Sequence, residues 1–231
     1  MHGRGYFVTD IQSLRAVYLS KTDGEPSRFH IWERGDPVGD SVTPSTYSGS
    51  YRIWMRDLLR KFLSEWETGP GGLLSIGCGN AAVEVGLVKE GHRVLGVDAM
   101  TEAVALAQAK GVDAVCADIL TWTPPSADWS VAYADGFLGH VFDPDEGIRP
   151  ALERIRSWLP EGAVLVISND DPKTDSDTQT HTEVPQFTWL SGRYLQEQAE
   201  AAGFTEIWTT WFTYSRPVSG PRDRVIVTAR V

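Results

Sequence analysis

Two cysteines, Cys78 and Cys116, are all that the sequence contains. At most one disulfide could form, which excludes a disulfide-stapled scaffold. Reduced thiols at buried sheet edges of a cytoplasmic protein are expected instead. Long apolar runs are missing as well: none approaches the roughly 20 residues of a membrane span, so no membrane partner is expected. The opening residues Met1-His2-Gly3-Arg4-Gly5 lack the apolar stretch of a secretory signal. Clusters of Lys and Arg are absent, and the formal net charge is −10. Phosphate backbones repel such a surface, so nucleic acid is not an expected substrate. The five histidines are scattered, and two distant cysteines give no zinc spacing. The acidic stretch 170–177 lacks the mid-loop glycine and terminal glutamate of a calcium loop, so no metal is predicted.

What is present fits one globular domain. The chain has 231 residues, 42% of them apolar, and nine tryptophans. Many aromatics fall in the first seventy residues, which suits either core and subunit packing, compatible with a homo-oligomer, or a pocket for an aromatic or cationic ligand. Residues 1–46 read as irregular. Tyr51, Trp54, Met55, Leu58, Leu59, Phe62, Leu63 and Trp66 then follow helical spacing over 48–66, with Ser48 or Ser50 as cap and Gly69-Pro70 as stop. Strands are predicted at 73–77, 93–97, 114–117, 130–134 and 163–168, alternating with helices at 82–90, 102–110, 148–159 and 194–202. Two closing strands, 206–214 and 224–231, are spaced for a hairpin. Short apolar runs separated by helices imply an α/β fold with a mostly parallel sheet, whose ligands bind beyond the strand ends.

The residues at those ends form a nucleoside-binding pattern. The first strand runs into Gly77-Cys78-Gly79-Asn80-Ala81-Ala82, where glycines allow close backbone approach and the next helix offers its N-terminal N–H groups. Asp98 ends the second strand and can accept both ribose hydroxyls. Asp118 ends the third and can accept an adenine amine, with Ile119 and Leu120 flanking the ring. A Gly-x-Gly-x-x-Ala turn also suits a dinucleotide, so an NAD-dependent reductase is the rival enzyme. The late start of the motif, Asp118 and the terminal hairpin favour a methyl donor.

This order of motifs resembles class I S-adenosylmethionine-dependent methyltransferases, and more narrowly the glycine N-methyltransferase group. The resemblance rests on Tyr51-Arg52-Ile53-Trp54 with Leu58-Leu59-Arg60, Ile76-Gly77-Cys78-Gly79, Glu90-Gly91 with Val97-Asp98-Ala99, and Phe137-Leu138-Gly139-His140, and covers residues 45–170. It implies a Rossmann-like seven-stranded sheet with a C-terminal antiparallel hairpin and an N-terminal helical cap. The cap is residues 1–47 and the methyltransferase domain 48–231. It implies S-adenosylmethionine as cofactor, leaving S-adenosylhomocysteine, held by Tyr51, Gly77, Cys78, Gly79, Asp98, Ala99, Met100, Asp118, Ile119, Leu120 and Ala134. Five departures from the group stand out: Ser75 replaces the acid that opens the glycine motif, Ala81 replaces its last glycine, Tyr47 replaces an arginine that anchors the cofactor carboxylate, Gly136 replaces an asparagine, and Ser168-Asn169-Asp170 stands where a substrate-carboxylate arginine is expected. Fold and cofactor survive these changes; glycine as substrate does not.

Methyl transfer from a sulfonium mainly requires alignment and exclusion of water, with removal of a proton where the acceptor needs it. His140 is the candidate base, or a ring that only holds its loop, and Asp135 could meet the acceptor, the cofactor's amino group or a turn. Tyr133 lies beside them. Tyr47, Phe137, His140, His181 and Trp189 are the candidate acceptor contacts, with Phe187 nearby and 170–177 expected to form a mobile loop at the mouth. With no carboxylate-binding arginine in view, the expected acceptor is a small apolar, planar or cationic molecule methylated at an amine nitrogen or an electron-rich aromatic carbon. Natural-product tailoring fits, for instance of an indole or a tryptophan-derived diketopiperazine. A non-catalytic binding protein on the same fold is the remaining alternative, and intact Gly77, Gly79, Asp98 and Asp118 argue against it.

Overall fold

The computed structural model describes residues 11–19, 27–37, 39–40 and 43–231. Two short helices, α1 (Ile11–Tyr18) and α2 (Arg28–Glu33), precede the long helix α3 (Gly49–Glu65). The alternating part follows: β1 (Leu73–Ile76), α4 (Glu84–Lys89), β2 (Val94–Asp98), α5 (Thr101–Ala109), β3 (Asp113–Cys116), β4 (Val131–Asp135), α6 (Arg149–Arg156) and β5 (Val164–Asp170). The chain ends with β6 (Thr178–Thr180), β7 (Thr188–Leu190), α7 (Gly192–Ala201), β8 (Thr205–Arg216) and β9 (Gly220–Arg230).

Seven strands form one sheet in the order β3-β2-β1-β4-β5-β9-β8. The first five are parallel, and β9 and β8 add the antiparallel edge that the hairpin spacing predicts. Leu73 on β1 pairs with Val94 on one side and Val131 on the other. Strand order therefore reverses at β1, and the loops leaving β1 and β4 diverge to open a crevice above the sheet. Both faces are covered. Leu152 and Ile155 of α6 and Leu195 and Ala199 of α7 pack on one; Tyr51, Met55 and Leu59 of α3, Leu87 of α4 and Val104 of α5 pack on the other. All seven residues of β5 are buried, as a strand covered on both sides requires.

Helix α3 starts where the sequence places it, with the Ser48 hydroxyl accepting from the Tyr51 N–H. Helix α4 begins two residues later than expected. Gly77, Gly79 and Ala81 all have left-handed φ, at 67°, 53° and 53°, so the turn extends to Ala81 before helix can form. At Gly77 a Cβ would also stand 2.7 Å from Phe137 Cδ2, so glycine is required there twice over. Helix α6 is shorter than the apolar pattern suggests, with Trp158 and Leu159 reaching the core from a turn. The N-terminal segment is not uniformly irregular: α1 and α2 lie in it, while 1–10 and 20–26 fall outside the described residues. The expected mobile loop is bounded by ordered strands. Asp170 is the buried end of β5, and 178–190 fold back as the β6–β7 hairpin. Both cysteines are free; Cys78 is buried, but Cys116, at the end of the edge strand β3, is exposed.

Candidate active site

The crevice is a single cavity of about 260 Å³. One end is built from the loops after β1, β2 and β3. There Gly77, Cys78, Gly79, Asp98, Ala99, Met100, Asp118, Ile119 and Leu120 line the wall, as expected from the sequence. The Asp98 carboxylate accepts the Gly79 N–H at 2.9 Å with one oxygen and the Met100 N–H at 2.9 Å with the other. Burial raises its pKa, and those backbone donors hold the rise back. Asp118 accepts the Leu120 N–H at 2.9 Å, which folds Ile119 and Leu120 over beside it.

The start of α4 differs from its expected role as an anion-binding helix end. Glu84 is buried, accepts the Ser75 hydroxyl at 2.5 Å and the Val83 N–H at 3.1 Å, and so occupies the turn itself. It also lines the cavity. Ser75 thus does not leave the glycine motif without an acid: Glu84, nine residues on, brings a carboxylate to the hydroxyl that replaced it. Burial raises the Glu84 pKa.

The other end lies beyond β4 and β5 and contains the main correction. Arginines do reach the cavity, from the β8–β9 hairpin. Buried Arg224 pairs with both Asp135 and Asp170, and Arg216 pairs with Asp170, where Tyr214 also donates at 3.0 Å. All four charged side chains line the wall. Attraction to Arg224, Arg216 and Arg222 pulls the Asp170 carboxyl below its usual pKa, although burial opposes them. Asp135 additionally accepts from Tyr133 at 2.8 Å, Ser168 at 3.0 Å and Tyr51 at 3.1 Å. A carboxylate so thoroughly occupied organises the wall.

Three expected contacts lie elsewhere. Tyr51 is fully buried and does not line the cavity; its hydroxyl joins Asp135, Ser168 and Arg224 behind the wall. Ala134 points into the core under α6, because alternation along β4 sends Tyr133 and Asp135 to the other face. Tyr47 sits in a short 3-10 turn whose carbonyl is held by Arg52 at 3.1 Å, and Ser45 and Thr46 line the cavity in its place.

His140, Phe137, His181 and Trp189 do line it. Gly139 lets the turn carrying His140 press on β7, since a Cβ there would overlap the Thr188 carbonyl. His140 Nδ1 lies 3.1 Å from the Gln186 carbonyl, which can only accept, so Nδ1 carries the ring proton. Nε2 then accepts the Tyr18 hydroxyl of α1, at 2.8 Å. Burial lowers the His140 pKa to about 4. His181 Nδ1 accepts the Glu183 and Val184 N–H groups at 3.0 Å, capping the β6–β7 turn. The cap contributes Leu14, Tyr18, Arg28, Phe29 and Trp32 to the lining, with Tyr18 and Phe29 stacked at 5.6 Å. Nothing in the helical pattern of 48–66 pointed to α1 and α2, and the three arginines could have been found only by placing the hairpin against β5.

A family model described as a methyltransferase domain matches residues 51–209. The chain belongs to the class I S-adenosylmethionine-dependent methyltransferases. A tabtoxin biosynthesis enzyme of Pseudomonas amygdali pv. tabaci is 39% identical to this methyltransferase over 230 residues, covering 96% of this chain and 90% of the relative. Two solved structures show the fold. Haemonchus contortus phosphoethanolamine N-methyltransferase 2, in complex with S-adenosyl-L-methionine, superposes with a TM-score of 0.66 at 16% identity, over 92% of this chain and 58% of its own. Synechocystis magnesium protoporphyrin IX methyltransferase with bound cofactor superposes at 0.62 and 15% identity, over the whole of both chains. The cofactor of this methyltransferase is S-adenosylmethionine. Its residues fit that group: Asp98 stands at the nucleoside end, and the left-handed glycines leave an open cradle beside it.

Proposed function

We propose that this methyltransferase N-methylates a small-molecule amine in the biosynthesis of a natural product. The observation that carries the reading is one cavity joining the Asp98–Asp118 end to the Asp135–Arg224 wall. S-adenosylmethionine supplies a methyl group already activated on a sulfonium. Asp98 takes the ribose hydroxyls, Asp118 with Ile119 and Leu120 holds the adenine, and Gly77, Gly79 and Glu84 face the amino-acid end. Phe137, His181, Phe187 and Trp189 shape the acceptor's space, and α1 and α2 exclude water.

His140 serves as the anchor of the cap. Its Nε2 lone pair is taken by Tyr18, and a pKa of about 4 makes it a weak base near neutral pH. Alignment without a dedicated base suits an amine: the fraction that has given its ammonium proton to solvent attacks the methyl with its lone pair, the C–S bond breaks with its electrons going to sulfur, and the methylated nitrogen releases any further proton to solvent. The relative in tabtoxin biosynthesis supports the tailoring role. The arginines of the hairpin are paired with Asp135 and Asp170, so they leave an uncharged planar acceptor such as an indole or diketopiperazine open. The test is transfer of labelled methyl from S-adenosylmethionine into the dialysable fraction of a cell extract. Label found only in protein or nucleic acid would overturn the proposal.

A further inference from the structure

Arg28 opens helix α2 and lines the cavity. Its Nε and Nη1 are buried and have no hydrogen-bond partner. It forms no ion pair with any described residue; Glu183 is the carboxylate whose attraction it feels, at longer range. Arg28 as a whole is half-buried, but two of its three guanidinium nitrogens are shut off from water with nothing to donate to, which is costly, so their retention beside a cavity points to a ligand that pairs with them. The other cations on the lining, Arg216 and Arg224, are paired with Asp135 and Asp170. Arg28 is therefore the one cation on the described lining that forms no ion pair.

Its place indicates which ligand. Tyr18 is bonded to His140, and Glu183 precedes Val184, which lines the cavity with Phe187. Arg28 thus borders the part of the lining where Tyr18 meets His140, and Tyr18 in turn feels both Arg28 and Asp98, so the arginine stands between the nucleoside end and the half beyond β4. A single open guanidinium matches a monoanion, and its planar fork matches a carboxylate; a phosphate monoester would bring nearly two charges. From this geometry we propose that Arg28 binds a carboxylate of the methyl acceptor, which makes the acceptor an amino acid or a close derivative. This deepens the reading of the site as one for a small amine, and rests on it.

The experiment titrates the protein loaded with S-adenosylhomocysteine against the common α-amino acids, their α-carboxamides and phosphoethanolamine. At least one free acid should bind, with its carboxamide and phosphoethanolamine weaker by about tenfold or more. Arg28→Gln should weaken that acid by about 10–100-fold, Arg28→Lys should recover part of the loss, and both variants should bind S-adenosylhomocysteine as the parent does. Unchanged cofactor binding shows that the variants are folded. If acid and carboxamide bind alike, if no acid binds, or if phosphoethanolamine is preferred, the proposal is wrong. It is equally wrong if Arg28→Gln weakens S-adenosylhomocysteine but not decarboxylated S-adenosylmethionine, because the arginine then holds the cofactor's own carboxylate. Methyl transfer to a small amine without a carboxylate would overturn this inference and leave the broader function standing.

Discussion

Replacing His140 by Gln separates two roles that the histidine could play. Glutamine can donate its amide N–H to the Gln186 carbonyl and accept the Tyr18 hydroxyl with its oxygen, so it can keep both hydrogen bonds while having no basic nitrogen. Tyr18→Phe does the reverse, breaking the bond to the cap and leaving the imidazole. One hydrogen bond is worth about 0.5–1.5 kcal/mol, so Tyr18→Phe should weaken S-adenosylhomocysteine by about 2–10-fold, and His140→Gln should leave it nearly unchanged. Stability supplies a second readout. The folded-state pKa of about 4 lies below the ordinary value of 6.5. Between these values the unfolded chain binds more protons, so stability rises with pH, and the contribution is lost as pH falls from 6.5 towards 4. A fall of that size amounts to at most about 3 kcal/mol. Buried Asp98 and Glu84, with raised pKa values, act in the opposite direction, so the quantity to measure is the difference between parent and His140→Gln in urea denaturation from pH 4 to 7. The difference should grow with pH. If His140→Gln instead lowers kcat by about 10²–10⁴-fold on an identified acceptor while Tyr18→Phe is silent, His140 is the base and the anchoring role is refuted.

Asp98→Ala should weaken S-adenosylhomocysteine by about tenfold or more by calorimetry, and NADH should fail to stabilise either protein in a thermal shift assay. Asp135→Ala and Arg224→Met should each cost about 3–5 kcal/mol in urea denaturation, and the double variant much less than their sum, because each alone strands a buried charge; additive losses would mean that the pair is not coupled.

The sheet and the nucleoside end were legible because their signals are local. Strand and glycine turn occur together at 73–79, Asp98 is the last residue of β2, and Asp118 follows two residues after β3. Tyr51 was legible as a helical residue, but its hydroxyl could not be placed, since its partners Asp135, Ser168 and Arg224 stand 84, 117 and 173 residues away. The arginine expected just after β5 stands far off in sequence for the same reason. The sheet supplies that charge across an antiparallel register that pairs Asp170 with Arg224. Helices α1 and α2 are too short to display a period, and their aromatic residues could be read as core or as pocket with equal right.

Arg216 donates to the Asp40 and Thr43 carbonyls, and Asp40 in turn accepts the Val218 and Ser219 N–H groups. The stretch that roofs the cavity is therefore clasped by the tip of the hairpin that walls it, across some 175 residues of chain. A contact of such separation repays its loop-closure entropy only after the sheet between has formed. Roof and wall are thereby tied to one another, so a substitution at the hairpin tip should be felt at the roof of the cavity, and hydrogen exchange of 43–46 in an Arg216 variant would measure it.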